Sequence, residues 1–464
     1  MSVKTTGRIR LLKAVAVVVA AILLGRLFLV QVIAGGDYRA RANRQYTRPA
    51  GAVFDRGSIF FQDRNGQLVS AAGVESGFLL AINPVLVIDN QVTYAKLATV
   101  LPALDGESFM TKAGKDDDPY EEIATRLSEA EAKAINDLEL AGVSVHPERW
   151  RFYPAGSLAA HTIGFLGYRD DEFAGRYGLE KQYDELLTPS GESSSLARIW
   201  SEVLGSSLAG KKEETKASIV TTIEPNVERF LEDELAAFQE RWSPDQLGGI
   251  VMDPQTGRIL AFGSSPNFDP GEKIEDISLL PNPLVEKVFE MGSIVKPITM
   301  AAALDAGAVT AETTYVDRGK LTIANRTIGN YDGSAHGTVS MQTVLSKSLN
   351  TGAVFAQQKL GEQKFINYFS AFGFGEKTGI DLPNETAGLI ANLEKGGEIA
   401  AATASYGQGV SLSPIAMTRA LSVLAAGGVL PAPHVVEQLV YQDGSKGELA
   451  REAPKSRQVI KKET

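Results

Sequence analysis

Glu290-Met291-Gly292-Ser293-Ile294-Val295-Lys296-Pro297 is the stretch on which the reading of this sequence turns. Gly292 precedes the serine, residues 301–306 are good helix formers apart from the acidic Asp305, and Gly307 supplies a stop. Pro297 falls in the first turns, where a missing N–H matters least. The pattern predicts a helix over about 293–306 with Ser293 at its mouth. Residues three apart share a helix face, so Lys296 can reach Ser293. A serine hydroxyl is a weak nucleophile and needs a nearby base. Lysine serves when burial or a cationic neighbour lowers its pKa. The helix start also favours negative charge, and the Ser293 N–H can help hold an oxyanion. Taken alone the spacing is weak, since about one or two such pairs arise by chance in a chain this long. On the spacing alone, a helix cap beside a surface lysine is the better reading.

Working outward, Ser348-Leu349-Asn350 supplies a serine and an amide two positions apart. On a regular helix these point about 200° apart, so a shared site requires a break, which Thr351-Gly352 allows. Ser265-Pro266-Asn267 has the same spacing and reads as a turn. Residues 249–253 and 258–262 flank Pro254-Gln255-Thr256-Gly257 and predict a hairpin. Residues 218–223 are β-prone, 227–238 form an amphipathic helix, and further helices are expected at 339–349 and 352–360. A hairpin followed by helices predicts an α/β (α+β) domain over 217–464, with a largely antiparallel sheet. Residues 188–216, rich in Ser, Gly and charge, read as a linker.

Before the linker, Asp63-Arg64-Asn65-Gly66 is a hairpin turn. Residues 121–141 show a helical period ending near Gly142. The three consecutive aspartates of 116–118 suit a solvated loop better than a cation site, because calcium loops alternate their carboxylates. The net charge of −10 shows no basic stripe, which argues against nucleic acid. There are no cysteines, and the four histidines lie far apart, so thiol and metal chemistry find no donors with suitable spacing. Residues 11–34 are almost wholly apolar, and as a helix they would span about 36 Å, enough for a bilayer core. A retained anchor is expected, with 1–10 as a tail and the bulk on one side. A cleaved signal peptide ending at Val32-Ile33-Ala34 is the alternative, and it also exports the chain.

The Ser293 segment resembles the nucleophile segment of class B penicillin-binding proteins, the monofunctional peptidoglycan transpeptidases. Further stretches resemble that family in the same order: Arg56-Gly57-Ser58-Ile59, Arg151-Phe152-Tyr153-Pro154, Tyr177-Gly178-Leu179-Glu180, Thr221-Thr222-Ile223-Glu224-Pro225, Thr378-Gly379-Ile380-Asp381-Leu382-Pro383 and Tyr406-Gly407-Gln408-Gly409. The family usually has Asp at the position of Glu224. The resemblance implies a cytoplasmic tail, one transmembrane helix, a mixed pedestal domain (37–187) and an extracytoplasmic transpeptidase domain at the bacterial inner membrane. It implies acyl transfer from D-Ala-D-Ala stem peptides through an acyl-serine, interception by β-lactams, no cofactor, and partnership with a glycosyltransferase and other wall-synthesis proteins. By motif match, Ser293 is the nucleophile, Lys296 the base, and Ser348 and Asn350 the second motif.

The chain departs from the family pattern at one point. The family carries a third motif, Lys-Thr-Gly, on the strand bordering the cleft. Lys377-Thr378-Gly379 has those letters, yet glycines precede it, Pro383 follows, and no β-branched run surrounds it. It matches the family's Thr-Gly-Ile-Asp-Leu-Pro loop instead. The expectation is a C-terminally incomplete member that labels poorly or not at all with β-lactam. A β-lactamase or β-lactam sensor, and a non-catalytic wall scaffold, are the rival readings.

Overall fold

The computed structural model describes residues 56–115, 117–169, 172–188, 216–441, 443–447 and 456–464. The expected tail, the apolar stretch 11–34 and nearly all of the linker 188–216 lie outside the described residues. Among those described, no helix is long and apolar enough to cross a membrane. The chain divides into two compact units, 76–149 and 55–75 with 150–464.

In the smaller unit, helices Asn90–Val100, Gly106–Ala113 and Glu129–Asn136 enclose a core of Leu80, Ile82, Leu97, Phe109 and Ile135. The helix expected over 121–141 is corrected here. Glu121–Leu127 is a strand, paired antiparallel with the second half of Leu68–Ile82. Helix begins only after Ser128, whose hydroxyl caps the Glu131 N–H while the Glu131 carboxylate reaches back to the Ser128 N–H. Irregular register in the pairing and a positive φ at Arg126 break the strand's alternation, so it did not read as period two.

In the larger unit, Asp63 Oδ1 accepts from the Asn65 and Gln67 N–H groups and closes the expected turn. Strand Ile59–Gln62 runs parallel to Ala217–Thr221, which pairs antiparallel with Val436–Tyr441. Residues assigned from sequence to the pedestal are therefore drawn into one sheet with the start and end of the C-terminal part. Beside this sheet, Arg56 Nε and Arg151 Nε contact the two oxygens of Glu180 at 2.7 and 2.6 Å. Arg56 also reaches Asp184 at 2.7 Å, and Arg151 donates to the Gly57 carbonyl at 2.8 Å. Glu180 is wholly buried.

Leu247–Met252 and Ile259–Ser265 form the expected hairpin, its turn tied by Asp253. Helix Pro225–Trp242, capped by the Glu224 carboxylate on the Val227 N–H, packs on its glycines through Leu231 and Leu235. Among the described residues this hairpin remains two-stranded, so the antiparallel sheet expected here is only partly present. The helical half has its own core. In it, Ile298, Met300 and Ala302 of helix Lys296–Asp305 meet Val344, Leu349, Phe365, Phe369 and Val423.

Candidate active site

Gly292–Val295 is a single 3-10 turn that leads into the α-helix Lys296–Asp305, with Pro297 in its first turn. The Lys296 N–H donates to the Ser293 carbonyl, an i to i+3 bond. In such a turn side chains three apart eclipse each other, which is why Lys296 stands directly over Ser293. Its Nζ lies 3.1 Å from Ser293 Oγ. The same ammonium nitrogen is 2.9 Å from Ser348 Oγ and 2.5 Å from the Ser348 carbonyl oxygen. The structure thus joins Ser293, Lys296 and Ser348 around one nitrogen.

Ser293 is exposed, whereas Lys296 is only 2% exposed. Among the described residues no carboxylate pairs with Lys296. Burial therefore disfavours its charged form without compensation, and its pKa is pushed down to about 8. At neutral pH about one such amine in ten is neutral, against roughly one in several thousand for an ordinary lysine.

The second motif departs from its expected local shape. Helices Met341–Ser346 and Asn350–Leu360 are separated by Lys347, Ser348 and Leu349. The break precedes the motif's asparagine rather than following it. Ser348 adopts a left-handed φ of +54°, unusual for a residue with a Cβ, and this lets its side chain and carbonyl meet Lys296. Gly352, taken from sequence as the breaker, lies inside the second helix. It is there because a Cβ would come within 2.3 Å of Val344. Asn350 forms no hydrogen bond with Lys296; its Nδ2 donates to the Gly329 carbonyl at 2.8 Å.

Two supports escaped the reading of the sequence. Gly407, at φ +81°, packs so closely that a Cβ would meet the Gly292 carbonyl oxygen at 2.2 Å, and its own carbonyl accepts from the Gly292 N–H. The Glu290 carboxylate accepts from the Gly409 N–H at 2.7 Å. The Tyr406–Gly409 segment therefore clamps the residue before the nucleophile. Asp317 and Asn330 brace the second motif from below through Thr351. Asp317-Arg318-Gly319 has the letters of a turn, but a partner 34 residues away leaves no local signal.

Lys377-Thr378-Gly379 lies in a loop, as its glycines and Pro383 indicated. Thr378 is buried, donating its N–H and hydroxyl to Glu385, and Asp381 accepts the N–H groups of Val435 and Val436. The segment anchors the sheet strand Val436–Tyr441. A cavity of about 1020 Å³ between the 63–66 turn and the start of helix Pro225–Trp242 contains none of the four predicted site residues.

Residues 247–464 match the family described as the penicillin binding protein transpeptidase domain, and residues 53–198 match the penicillin-binding protein dimerisation domain. Stage V sporulation protein D of Bacillus subtilis is 30% identical over 97% of this chain and 69% of its own length. Peptidoglycan D,D-transpeptidase MrdA of Acinetobacter baumannii is 27% identical, over 97% of this chain and 71% of that protein. Penicillin-binding protein PbpB of Mycobacterium tuberculosis is 27% identical over 73% of this chain, and the match spans 50% of that longer protein. Among solved structures, penicillin-binding protein 3 of Mycobacterium tuberculosis, complexed with ampicillin, superposes with a TM-score of 0.64 at 22% identity, covering 89% of this chain and 72% of that one. Penicillin Binding Protein 2X of Streptococcus thermophilus gives 0.68 at 21%, covering 89% and 64%.

Proposed function

Because the chain belongs to the class B penicillin-binding proteins, we propose that it is a peptidoglycan D,D-transpeptidase that works through an acyl-enzyme on Ser293. The observation that carries the residue assignment is Lys296 Nζ, buried with no carboxylate paired to it among the described residues and within hydrogen-bond reach of both Ser293 Oγ and Ser348 Oγ.

The neutral Lys296 amine takes the Ser293 proton as Oγ attacks the carbonyl carbon of the donor's penultimate D-Ala. The carbonyl oxygen becomes an oxyanion at the mouth of the helix, where the Ser293 N–H can donate to it. Collapse breaks the terminal peptide bond. The departing D-Ala nitrogen receives a proton from Ser348, which is replenished from Lys296. The amine of a second stem peptide then attacks the ester, loses its proton to the same relay, and restores free Ser293. A β-lactam enters the first half of this path, and ring opening leaves its departing amine attached. Asn350 holds the donor's peptide groups. The apolar stretch 11–34 supports a single inner-membrane anchor with residues 1–10 cytoplasmic and the chain beyond Gly36 extracytoplasmic, and protease applied to intact spheroplasts should then digest the part beyond Gly36.

The test is peptide mapping after exposure to a fluorescent penicillin. The expected result is one adduct, slow to form and located on Ser293. An adduct on another residue, or none after prolonged exposure, would overturn the assignment.

A further inference from the structure

Helix Asn350–Leu360 starts after Leu349, which has no side-chain oxygen to cap it. Its exposed N–H groups need partners. One comes from a distant segment: the Thr351 N–H donates to Asn330 Oδ1 at 3.3 Å. The Asn330 amide is itself fixed, since its Nδ2 donates to Asp317 Oδ2 at 2.9 Å and to the Ser334 carbonyl at 3.2 Å. Asp317 Oδ1 accepts from the Thr351 hydroxyl at 2.8 Å and the Gly319 N–H at 3.0 Å, while Oδ2 also accepts from the His336 N–H at 3.0 Å. The Tyr315 hydroxyl lies 3.1 Å from Thr351 Oγ1 and completes the set. Asp317, Asn330 and Thr351 are 2%, 6% and 3% exposed.

This buried cluster sits one residue from the second motif on the Asn350 side. The Asn350 amide donates to the carbonyl of Gly329, the neighbour of Asn330. Ser348 meanwhile holds a left-handed backbone, a conformation that persists only where the surroundings over-determine it. Its own N–H bonds to the Leu345 carbonyl, and Lys296 grips its carbonyl. The start of the following helix is the third fixed point, and Asp317 and Asn330 fix it.

We propose that Asp317 and Asn330 are positioning residues for acyl transfer: through Thr351 they hold Ser348 against Lys296 and set the direction of Asn350. The inference rests on the roles given above to Ser293 and Lys296. Neither positioning residue contacts the nucleophile or the base. Loosening the cluster lets Ser348 withdraw from Lys296, which then gains water and titrates as a more ordinary lysine.

The test uses the full chain and reads the ionisation of Lys296 by pH-dependent reductive methylation with peptide mass spectrometry, alongside thermal melting. The substitutions are Asp317→Asn, which turns one acceptor oxygen into a donor, Thr351→Val, which removes one hydroxyl at constant shape, and Thr351→Ser, which restores it. The native chain should titrate at about pH 8. Asp317→Asn and Thr351→Val should titrate at about pH 9 or above, and Thr351→Ser with the native chain. If Asp317→Asn fails to fold, Thr351→Val carries the comparison. Lys296 unmoved in Thr351→Val, with melting lowered or not, would make the cluster at most a structural brace and overturn the proposal. Failure of penicillin to acylate the native chain would count against the proposed function and leave the Lys296 comparison intact.

Discussion

Two of the places in the larger unit where a cation is buried do so in opposite ways. Arg56 and Arg151 share the carboxylate of Glu180, with Asp184 and the Gly57 carbonyl taking further donors. Lys296 is buried as deeply, yet its partners are two hydroxyls and a carbonyl, none of them charged. In the first place every charge meets its opposite, and arginine cannot lose its proton, so the result is a fixed brace between the segments 56–57, 151 and 180–184. In the second, desolvation stands uncompensated, and lysine answers by holding its proton less tightly. A buried cation given a carboxylate is a fastening; a buried cation denied one is a base.

Lys296→Arg breaks this contrast most sharply. It restores a permanent charge that cannot accept the Ser293 proton, and acylation should fall by about a hundred- to ten-thousand-fold. Stopped-time labelling with fluorescent penicillin reads the loss. Glu180→Gln is the converse change, leaving two buried guanidinium groups without their shared counter-charge. Breaking such a pair from one side costs about 3–5 kcal/mol, which denaturant unfolding would register, while the location of any penicillin adduct should stay on Ser293. Lys377→Ala should matter least. Lys377 is an exposed loop residue, and both labelling and melting should stay close to the native values. A loss of labelling as deep as that of Lys296→Arg would place Lys377 in the cleft.

The sequence revealed what depends on near neighbours. The Ser293–Lys296 pair follows from one turn of helix, the helix stop from Gly307 at φ +65°, and both hairpin turns from their Asp and Gly residues. What escaped depends on residues far apart in the chain. The parallel pairing of Ile59 with Ile219 spans 160 positions and leaves no local trace. Arg56, Arg151 and Glu180 were quoted for their order in the chain, and only the fold shows that they meet. Gly352 illustrates an ambiguity of glycine: it reads as a breaker, but its position answers to the approach of Val344. The true break falls at Ser348, where a hydroxyl and a carbonyl both serve Lys296, and a non-glycine residue in a left-handed conformation is not foreseeable from its type.

The central claim is that Lys296 is a base because it is buried with no counter-charge among the described residues. Its most direct test is the rate at which penicillin forms the Ser293 adduct, measured by intact mass from pH 6 to pH 10. Only the neutral amine can take the serine proton, and its fraction rises as pH rises through the pKa of about 8. The rate should therefore climb about tenfold per pH unit on the acid side and level off above about pH 8 to 9. A rate that is flat across this range, or that is still climbing tenfold per unit up to pH 10 as an ordinary lysine would make it, would contradict the account.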